Sequence, residues 1–337
     1  MTSTERTRAV MEGKQPDRLP VAPLFMVWAA QYSGYSYAEY VTDYKVLVEC
    51  QLRLWEEFGV DVLSCCSDAW REAADCGTEL VYDDAGPPRP RSYLLADKAP
   101  VSSLARPDPL GGGRMTDRIR AIEAFRERAG GQVPILGWIE GPIAEAVNLR
   151  GMNEFMLDIV DDPGYARSVL EWAAEMELEF GLKQVEAGAD IIGMGDAAAS
   201  LVSPAIYEQF VLPLEKMIIG ELERAGCPVR LHICGDTTHL LPYYKATGAK
   251  MIDLDHFVDM RAARQAVGSD VVLLGNFDPV RVLLEGTEEE VYQACRSCHE
   301  AAGEPYILAA GCEVPPGTPE ENVRAMVRYA EDAAARS

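Results

Sequence analysis

Short apolar runs recur along the whole chain, and each is bounded by residues that favour turns. Most of these runs are continuously apolar rather than alternating, which is typical of strands buried on both faces of a parallel sheet. The pattern predicts eight strands, at residues 19–25, 60–66, 134–140, 189–196, 229–235, 251–256, 271–278 and 306–313.

Helical periodicity separates the predicted strands. It predicts helices at residues 43–58, 116–128, 153–187, 204–225, 237–247, 259–267, 287–302 and 319–334. Two of these helices begin with a hydroxyl residue followed by proline, at Ser203-Pro204 and Thr318-Pro319, which is favourable chemistry for a helix start. A polar, helix-like stretch precedes the first predicted strand.

Eight strands alternating with eight helices is the count of a (β/α)8 barrel. We therefore predict an α/β fold in which residues 1–337 form a single TIM-type barrel domain with an N-terminal helical lead-in. A doubly wound open sheet is the alternative, but no Gly-x-Gly-x-x-Gly follows the first predicted strand. Residues 79–98, which include Gly86-Pro-Pro-Arg-Pro90, predict a hairpin-like insertion.

Composition and charge indicate which partners and which cellular compartment to expect. The net charge of −23 argues against nucleic acid and anionic membranes as partners, because phosphate binding requires clustered lysine and arginine. No apolar run reaches the roughly 18 residues of a membrane span, and the N-terminus lacks the apolar centre of a signal peptide. Nine cysteines, an odd number spread over a long chain, suit a reducing compartment rather than a disulfide framework. We therefore expect a cytoplasmic protein.

Polar residues of the types that carry catalysis follow most of the predicted strands. In a barrel, the C-terminal ends of the strands and the loops after them line the mouth where active sites lie. The candidate catalytic acids are Asp68, Asp196 and Asp278, and the candidate substrate-pocket residues are Glu140, Asn276, Tyr35 and Trp70. For the two aromatic residues, core packing is an equally good explanation.

One imidazole and two thiols stand out among these strand ends. His232 and Cys234 lie two residues apart in one predicted strand, so their side chains point to the same face, and Cys312 ends another strand. A His/Cys/Cys set suits zinc and leaves a coordination position open for chemistry. The alternative is two buried thiols and a satisfied core histidine. Asp255 is a candidate fourth ligand that substrate would displace, or otherwise a hydrogen-bonded strand-end carboxylate.

Several motifs resemble the uroporphyrinogen decarboxylase superfamily. They are Gly141-Pro142, Ser203-Pro204 and the runs at residues 185–192, 274–279 and 312–319. The resemblance covers nearly the whole chain and implies a single (β/α)8 barrel. Decarboxylases of the superfamily carry Arg-Gln-Ala-Gly-Arg after the first strand, whereas the matching residues 25–34 contain no arginine here. Asp68, in its Ser-Asp context, is similar to the decarboxylase aspartate, so a metal-free carboxy-lyase using Asp68 is the alternative function.

The metal-type residues resemble a different branch of the same superfamily. His232, Cys234 and Cys312, with 77 residues between the two cysteines, are similar to the His-x-Cys…Cys signature of the zinc-dependent corrinoid methyltransferases. The resemblance implies Zn²⁺, a corrinoid (methylcobamide) supplied by a partner corrinoid protein, and a small-molecule methyl donor or acceptor. The acceptor would be a thiol, and the donor a methylated oxygen or sulfur compound, as in an O-demethylase. The direction of transfer, the substrates and the oligomeric state stay open, and a non-catalytic zinc- or corrinoid-binding module is a third interpretation.

Overall fold

The computed structural model describes residues 1–334. In that part of the chain the strands are β1 (Leu63–Ser64), β2 (Leu80–Val81), β3 (Arg89–Pro90), β4 (Ile135–Glu140), β5 (Ile191–Gly195), β6 (Val229–Ile233), β7 (Met251–Leu254), β8 (Val272–Phe277) and β9 (Tyr306–Ala310). β2 and β3 form an antiparallel pair. The other seven form one parallel sheet in the order β1-β4-β5-β6-β7-β8-β9.

Residues 20–22 occupy the gap between the last strand of the sheet and the first. The backbone N–H of Leu308 donates to the carbonyl of Pro20 at 2.9 Å, and the N–H of Ala22 donates to the carbonyl of Leu308 at 2.8 Å. On the other side, the N–H of Asp61 donates to the carbonyl of Val21 at 2.7 Å. These contacts close the parallel sheet into a barrel, and the predicted (β/α)8-type fold is confirmed.

Most predicted strands are present and are shorter by a few residues, but the first two are reduced further. The run at 19–25 is only a single bridge to β9, because Pro20 and Pro23 have no N–H to donate to a neighbouring strand. The run at 60–66 is paired only over the two residues of β1. The hairpin predicted within 79–98 is confirmed by the antiparallel pairing of β2 with β3.

Helices lie between the strands, as predicted. The α-helices of the described residues are Ser3–Met11, Val27–Ser33, Tyr37–Thr42, Tyr44–Phe58, Arg71–Asp75, Arg114–Ala129, Pro142–Arg150, Met152–Asp161, Pro163–Ala187, Pro204–Ile206, Leu212–Arg224, Leu241–Thr247, Met260–Val267, Glu288–Ala302 and Glu320–Ala334. Short 3₁₀ turns lie at Val101–Ser103, Ala197–Leu201 and Thr238–Leu240, and π-helical turns at Tyr207–Val211 and Pro279–Leu284. The first helix confirms the predicted N-terminal lead-in. The single-domain assignment over 1–337 stays a prediction, and its last three residues lie outside the described range.

Two of the predicted helices are interrupted by proline. The helix predicted at 153–187 is divided in two, because Asp162 caps a new helix that starts at Pro163. The helix predicted at 204–225 contains a π-helical turn just before Leu212-Pro213, where the ring removes a backbone donor. The helix that starts at Pro142, directly after β4, is one that the apolar pattern does not predict.

The core has two layers, and single strands contribute to both. Leu136 and Trp138 of β4 belong to the cluster of residues that fills the barrel interior. Ile135 and Ile139 of the same strand belong to the larger cluster between the sheet and the helices. This alternation follows from the two-residue period of a strand. None of the helices within residues 1–334 combines the length and the apolarity that crossing a membrane requires.

Candidate metal centre

The direction of the β6 side chains brings His232 into the barrel. Val229, Leu231 and Ile233 of β6 all pack in the outer layer, against the helices. Because side chains alternate along a strand, Arg230 and His232 face the interior. His232 is 3% exposed, and it lies near the C-terminal end of its strand, where barrels place their reactive groups.

Cys312 reaches the same place from β9 through a glycine. A Cβ atom at position 311 would lie 2.6 Å from the backbone nitrogen of His256, which is closer than real side chains pack. Gly311 therefore lets the chain turn closely past the segment that follows β7. The turn carries Cys312 to Cys234, and the two sulfur atoms are 3.8 Å apart.

His232, Cys234 and Cys312 form one compact group of metal-ligand atoms. Nε2 of His232 lies 3.0 Å from the sulfur of Cys234, and the three ligand atoms all lie within 4.8 Å of one another. On a tetrahedral zinc with Zn–S bonds of about 2.3 Å, two sulfurs lie about 3.8 Å apart. The separation of the two cysteine sulfurs therefore fits a shared metal ion, and their side chains are free thiols.

A buried ion pair supports the imidazole of His232 from behind. Nδ1 of His232 lies 3.1 Å from the backbone carbonyl oxygen of Asp253 and 3.4 Å from its carboxylate. Arg230 donates to the same carboxylate through Nη2 at 2.6 Å and through Nε at 3.0 Å. Asp253 holds a proton on Nδ1, which leaves Nε2, the nitrogen that faces the sulfur of Cys234, as the atom that would bind a metal ion.

Electrostatics inside the group already favour a charged sulfur. The hydrogen bond from Cys234 is the largest influence on Cys312, and together with His232 it lowers the pKa of Cys312 to about 4. Burial lowers the pKa of His232, but the charges of Cys234 and Asp253 outweigh burial and raise that pKa well above its usual value. A thiolate is the form of cysteine that binds metals, so the site is prepared for a cation.

Asp255 lies beside this group but is not one of its three members. Its carboxylate accepts from the backbone N–H of Gly235 at 2.8 Å and of Phe257 at 3.3 Å. Nδ1 of His256 lies 2.8 Å from Oδ1 of Asp255, and Nε2 of His256 lies 3.7 Å from the carboxylate of Asp278. Asp255 thus joins the segments that follow β6 and β7, and its role as a fourth ligand stays a prediction.

Asp68 and Glu140 are each paired with an arginine that the sequence pattern does not single out. Nη2 of Arg114 lies 2.6 Å from Asp68, and Nη2 of Arg71 lies 2.8 Å from Glu140. Burial raises the pKa of Asp68, but the charges of Arg114 and Arg71 outweigh burial and leave it below its usual value. Burial raises the pKa of Glu140 to about 7. Arg114 belongs to a helix far along the chain, so no local spacing reveals this network.

Asp196 and Asn276 are buried and hold neighbouring segments together. The carboxylate of Asp196 accepts from the N–H of Ala144 at 2.8 Å, which fastens the helix Pro142–Arg150 to the end of β5. The side-chain amide of Asn276 donates to the backbone carbonyl of Asp255 at 3.0 Å, which joins the ends of β8 and β7. The catalytic role of Asp196 and the pocket role of Asn276 stay predictions.

The remaining candidates lie nearer to the surface. The carboxylate of Asp278 accepts from the N–H groups of Val280 at 2.9 Å and Arg281 at 3.0 Å, and so caps the turn after β8. Tyr35 and Trp70 are partly buried and pack against the larger core cluster. The structure does not bring these three residues into the His/Cys/Cys group, and their roles stay predictions.

Fold and site together define a parallel α/β barrel with a candidate His/Cys/Cys metal centre at the C-terminal ends of its strands. The chain belongs to the uroporphyrinogen decarboxylase (URO-D) family, whose family model matches residues 2–333. The superfamily predicted from the motifs is therefore confirmed.

Relatives of the chain include proteins from both branches of this family. A methylated-thiol--coenzyme M methyltransferase of Methanosarcina mazei is 31% identical over 338 residues, which cover 98% of this chain and 90% of that protein. The methylcobamide:CoM methyltransferase MtaA of Methanosarcina barkeri (strain Fusaro) is 27% identical, over 97% of this chain and 96% of the relative. A uroporphyrinogen decarboxylase of Myxococcus xanthus is 29% identical, over 80% and 77%. The predicted resemblance to the methyltransferase branch is confirmed.

The fold has a close counterpart among solved structures. A methyltransferase from Methanosarcina mazei superposes with a TM-score of 0.91 over 99% of both chains, at 24% sequence identity. At this identity the superposition supports the barrel fold alone.

Proposed function

We propose that this protein is a zinc-dependent methyltransferase that moves a methyl group between a protein-bound corrinoid and a small substrate. The observation that carries the proposal is the meeting of His232 Nε2 with the sulfurs of Cys234 and Cys312 at the ends of β6 and β9. Similarity over nearly the whole chain to proteins named methylated-thiol--coenzyme M and methylcobamide:CoM methyltransferases supports the reaction class.

In this proposal, the residues of the site bind the ion and balance its charge. When bound, zinc would supply a Lewis acid that favours the thiolate form of a thiol substrate. Cys234 and Cys312 contribute two negative charges, which offset the charge of a divalent ion and leave a substrate sulfur electron-rich. Asp253 keeps the proton of His232 on Nδ1, so that Nε2 stays available.

We assign the fourth ligand position to Asp255 while no substrate is bound. Its carboxylate is anchored by the N–H of Gly235, the residue that follows Cys234. A substrate thiol or methylated donor would take this position. In the same proposal, Asp196 and Asp278 act at the mouth with Asp68, and the substrate pocket is formed by Glu140, Asn276, Tyr35 and Trp70.

The corrinoid would be presented at the barrel mouth by a separate corrinoid protein. Three large apolar side chains are exposed on the segments that follow β5, β7 and β8: Leu201 at 64%, Phe257 at 62% and Val280 at 46%. We call these three residues the apolar rim. Two of these residues belong to segments that adjoin the proposed metal site. The backbone N–H of Phe257 donates to Asp255, and a Cβ on Gly235 would contact Ser200, the neighbour of Leu201. We propose that the corrinoid protein docks over these side chains and covers them from water.

A cytoplasmic setting is part of the proposal. All nine cysteines are free in the structure, and the two ligand cysteines must stay reduced to bind metal.

Metal analysis of the purified protein tests the site directly. We expect about one zinc per chain in the wild type and in Cys50→Ala, which removes a buried cysteine from the helix Tyr44–Phe58. The double variant Cys234→Ala/Cys312→Ala should contain none. A wild type without zinc, or a double variant that keeps it, would reject the proposed centre.

A methyl-transfer assay then tests the reaction. Reduced corrinoid with a panel of methylated donors, and methylated corrinoid with a panel of thiols, are followed by the absorbance change of the corrinoid. Transfer should occur in one panel with the wild type and with Cys50→Ala, and should be absent from the double variant. Equal transfer rates in all three proteins would exclude a role for the centre.

A further inference from the structure

A second cluster of metal-ligand side chains lies apart from the His/Cys/Cys group. Glu72, Glu145 and Glu177 each bring one carboxylate oxygen within 4.8 Å of the other two, and all three residues are 0% exposed. We call them the glutamate cluster. They come from three different helices, Arg71–Asp75, Pro142–Arg150 and Pro163–Ala187.

Each member of the glutamate cluster carries one buried oxygen that has no hydrogen-bond partner among the described residues. These atoms are Oε2 of Glu72, Oε1 of Glu145 and Oε1 of Glu177. The other three oxygens are engaged, by Arg71 at 3.1 Å, by the amide of Asn148 at 3.1 Å and by the N–H of Glu140 at 3.2 Å. Buried polar atoms normally have partners, so three such oxygens in one cluster point to a ligand or to protons.

The positive charges near the cluster do not balance the acids. Arg71 contacts Glu72 and also pairs with Glu140, while Arg114 is engaged by Asp68. When the three members of the cluster, Glu140 and Asp68 are all ionised, they carry five negative charges. The two guanidinium groups balance two of these charges and leave three buried. Burial raises the pKa of all three members of the cluster, which reflects how unfavourable the ionised form is without a further cation.

Another pair of buried acids in this barrel is arranged differently. Asp196 and Glu215 also have one buried oxygen each without a partner, but these two carboxyl groups lie close enough to share a proton. In the glutamate cluster the carboxylates instead repel one another across space, and Glu72 is the largest charge acting on Glu145 and Glu177. Oxygens bound at about 2.0–2.6 Å to Mg²⁺ or Ca²⁺ lie up to about 4–5 Å apart across the ion. The ligand oxygens of the cluster all lie within 4.8 Å of one another, which permits this arrangement.

We propose that Glu72, Glu145 and Glu177 bind a hard divalent cation of the Mg²⁺ or Ca²⁺ class. Carboxylate oxygens are the ligands that such ions prefer, whereas the sulfur-rich group at β6 and β9 suits zinc. The cation ties together three helices on the β1 and β4 side of the barrel. Through Arg71, which contacts both Glu72 and Glu140, it also steadies the acids at the ends of those strands. Its role is structural and does not depend on methyl transfer.

The test uses the zinc-saturated full chain, so that added metal cannot enter the cysteine site. Because the cluster is fully buried, the protein is produced in medium supplemented with Mn²⁺ and exchanged into metal-free buffer. Calcium, magnesium, manganese and zinc are then counted, and bound Mn²⁺ is examined by electron paramagnetic resonance. The variants are Glu177→Gln and, as a matched control on the same helix, Glu179→Gln, whose side chain is exposed.

We expect one hard cation per chain in the wild type and in Glu179→Gln, and none in Glu177→Gln, with the zinc content equal in all three. The unfolding temperature should fall only in Glu177→Gln. A wild type that carries zinc alone, with a Glu177→Gln variant that unfolds at the same or a higher temperature, would show that the carboxyl groups hold protons, and the proposal would fail. Should Glu177→Gln not fold, the metal content of the wild type decides the question by itself. Loss of zinc with retention of Mn²⁺ would contradict the proposed methyl-transfer site and leave this inference standing.

Discussion

Substituting Asp253 by asparagine tests the support behind His232 without changing any of the proposed metal ligands. Asp253 is 2% exposed, and its Oδ2 lies 2.6 Å from Nη2 of Arg230 and 3.4 Å from Nδ1 of His232. The backbone carbonyl of residue 253, at 3.1 Å from Nδ1, survives the change. We therefore expect Asp253→Asn to keep the tautomer of His232 and to remove the negative charge behind it.

These contacts give the expected losses of zinc affinity and of folding stability. Loss of a carboxylate behind a metal-bound imidazole weakens metal binding about 10–100-fold. Because the backbone carbonyl remains, we expect the lower end, about tenfold, which corresponds to about 1.4 kcal/mol. Removing one partner of a buried ion pair costs about 3–5 kcal/mol of stability. Asparagine keeps one oxygen that can accept from Arg230, so about 3 kcal/mol is expected here.

The two effects are measured separately. Competition with a chromophoric chelator gives the zinc affinity, and urea unfolding of the zinc-free protein gives the stability. Asp270→Asn is the matched control, because Asp270 is exposed and lies 3.4 Å from Lys245 on the surface; neither quantity should change. A folded Asp253→Asn protein that binds zinc as tightly as the wild type would refute the reasoning.

Substitutions at three other places test the turn before Cys312, the apolar rim and a buried acid. Gly311→Ala should abolish zinc binding, because its Cβ would lie 2.6 Å from the backbone of His256. The control is Gly220→Ala, in a helix where nothing lies within 4 Å of the new Cβ; it should stabilise the protein by roughly 0.5–1 kcal/mol. A Gly311→Ala protein that still binds zinc would contradict the close approach of residues 311 and 256. Phe257→Ala should raise the KM for a methylated corrinoid protein about tenfold and leave the rate with free methylcobalamin unchanged. An unaltered KM would show that the corrinoid protein docks elsewhere. Burial raises the pKa of Glu215 from 4.5 to about 7, so the folded state favours the neutral acid. The stability that Glu215 contributes is therefore complete below about pH 4.5 and is lost as the pH rises through about 7. Urea unfolding across this pH range should show a smaller loss of stability in Glu215→Gln than in the wild type. Equal losses in the two proteins would contradict the raised pKa of Glu215.

The barrel was largely predictable because its strands are buried on both faces. The apolar runs that form β4, β5 and β6 are continuous and bounded by turn residues, so the positions of these strands follow from the sequence pattern alone. The first strand departs from its prediction because apolarity does not report hydrogen-bonding capacity, and Pro20 and Pro23 lack the donors of a full ladder. The helix that begins at Pro142 has all nine of its residues buried, the polar ones included, so it has no exposed polar face and no amphipathic periodicity to detect.

The candidate metal site was predictable only where local spacing carries the information. His232 and Cys234 share a face because they are two residues apart in a strand, and the strand-end position of Cys312 completes the group. Arg230 has the same spacing, yet its pairing with Asp253 depends on the register of two strands and is invisible in the sequence. The glutamate cluster is harder still, because its members come from three helices and no spacing rule relates them.

The surroundings of Asp68 argue for the metal-centred reaction over the decarboxylase alternative. A catalytic aspartate that stabilises a protonated intermediate needs its negative charge free to act on the substrate. Here Oδ2 of Asp68 already accepts from Arg114 at 2.6 Å and from Ser67 at 2.9 Å, and Oδ1 accepts from the N–H of Trp70 at 3.0 Å. The guanidinium of Arg114 offsets the charge that such an intermediate would require. The same contacts leave Asp68 ionised and fixed beside Arg114.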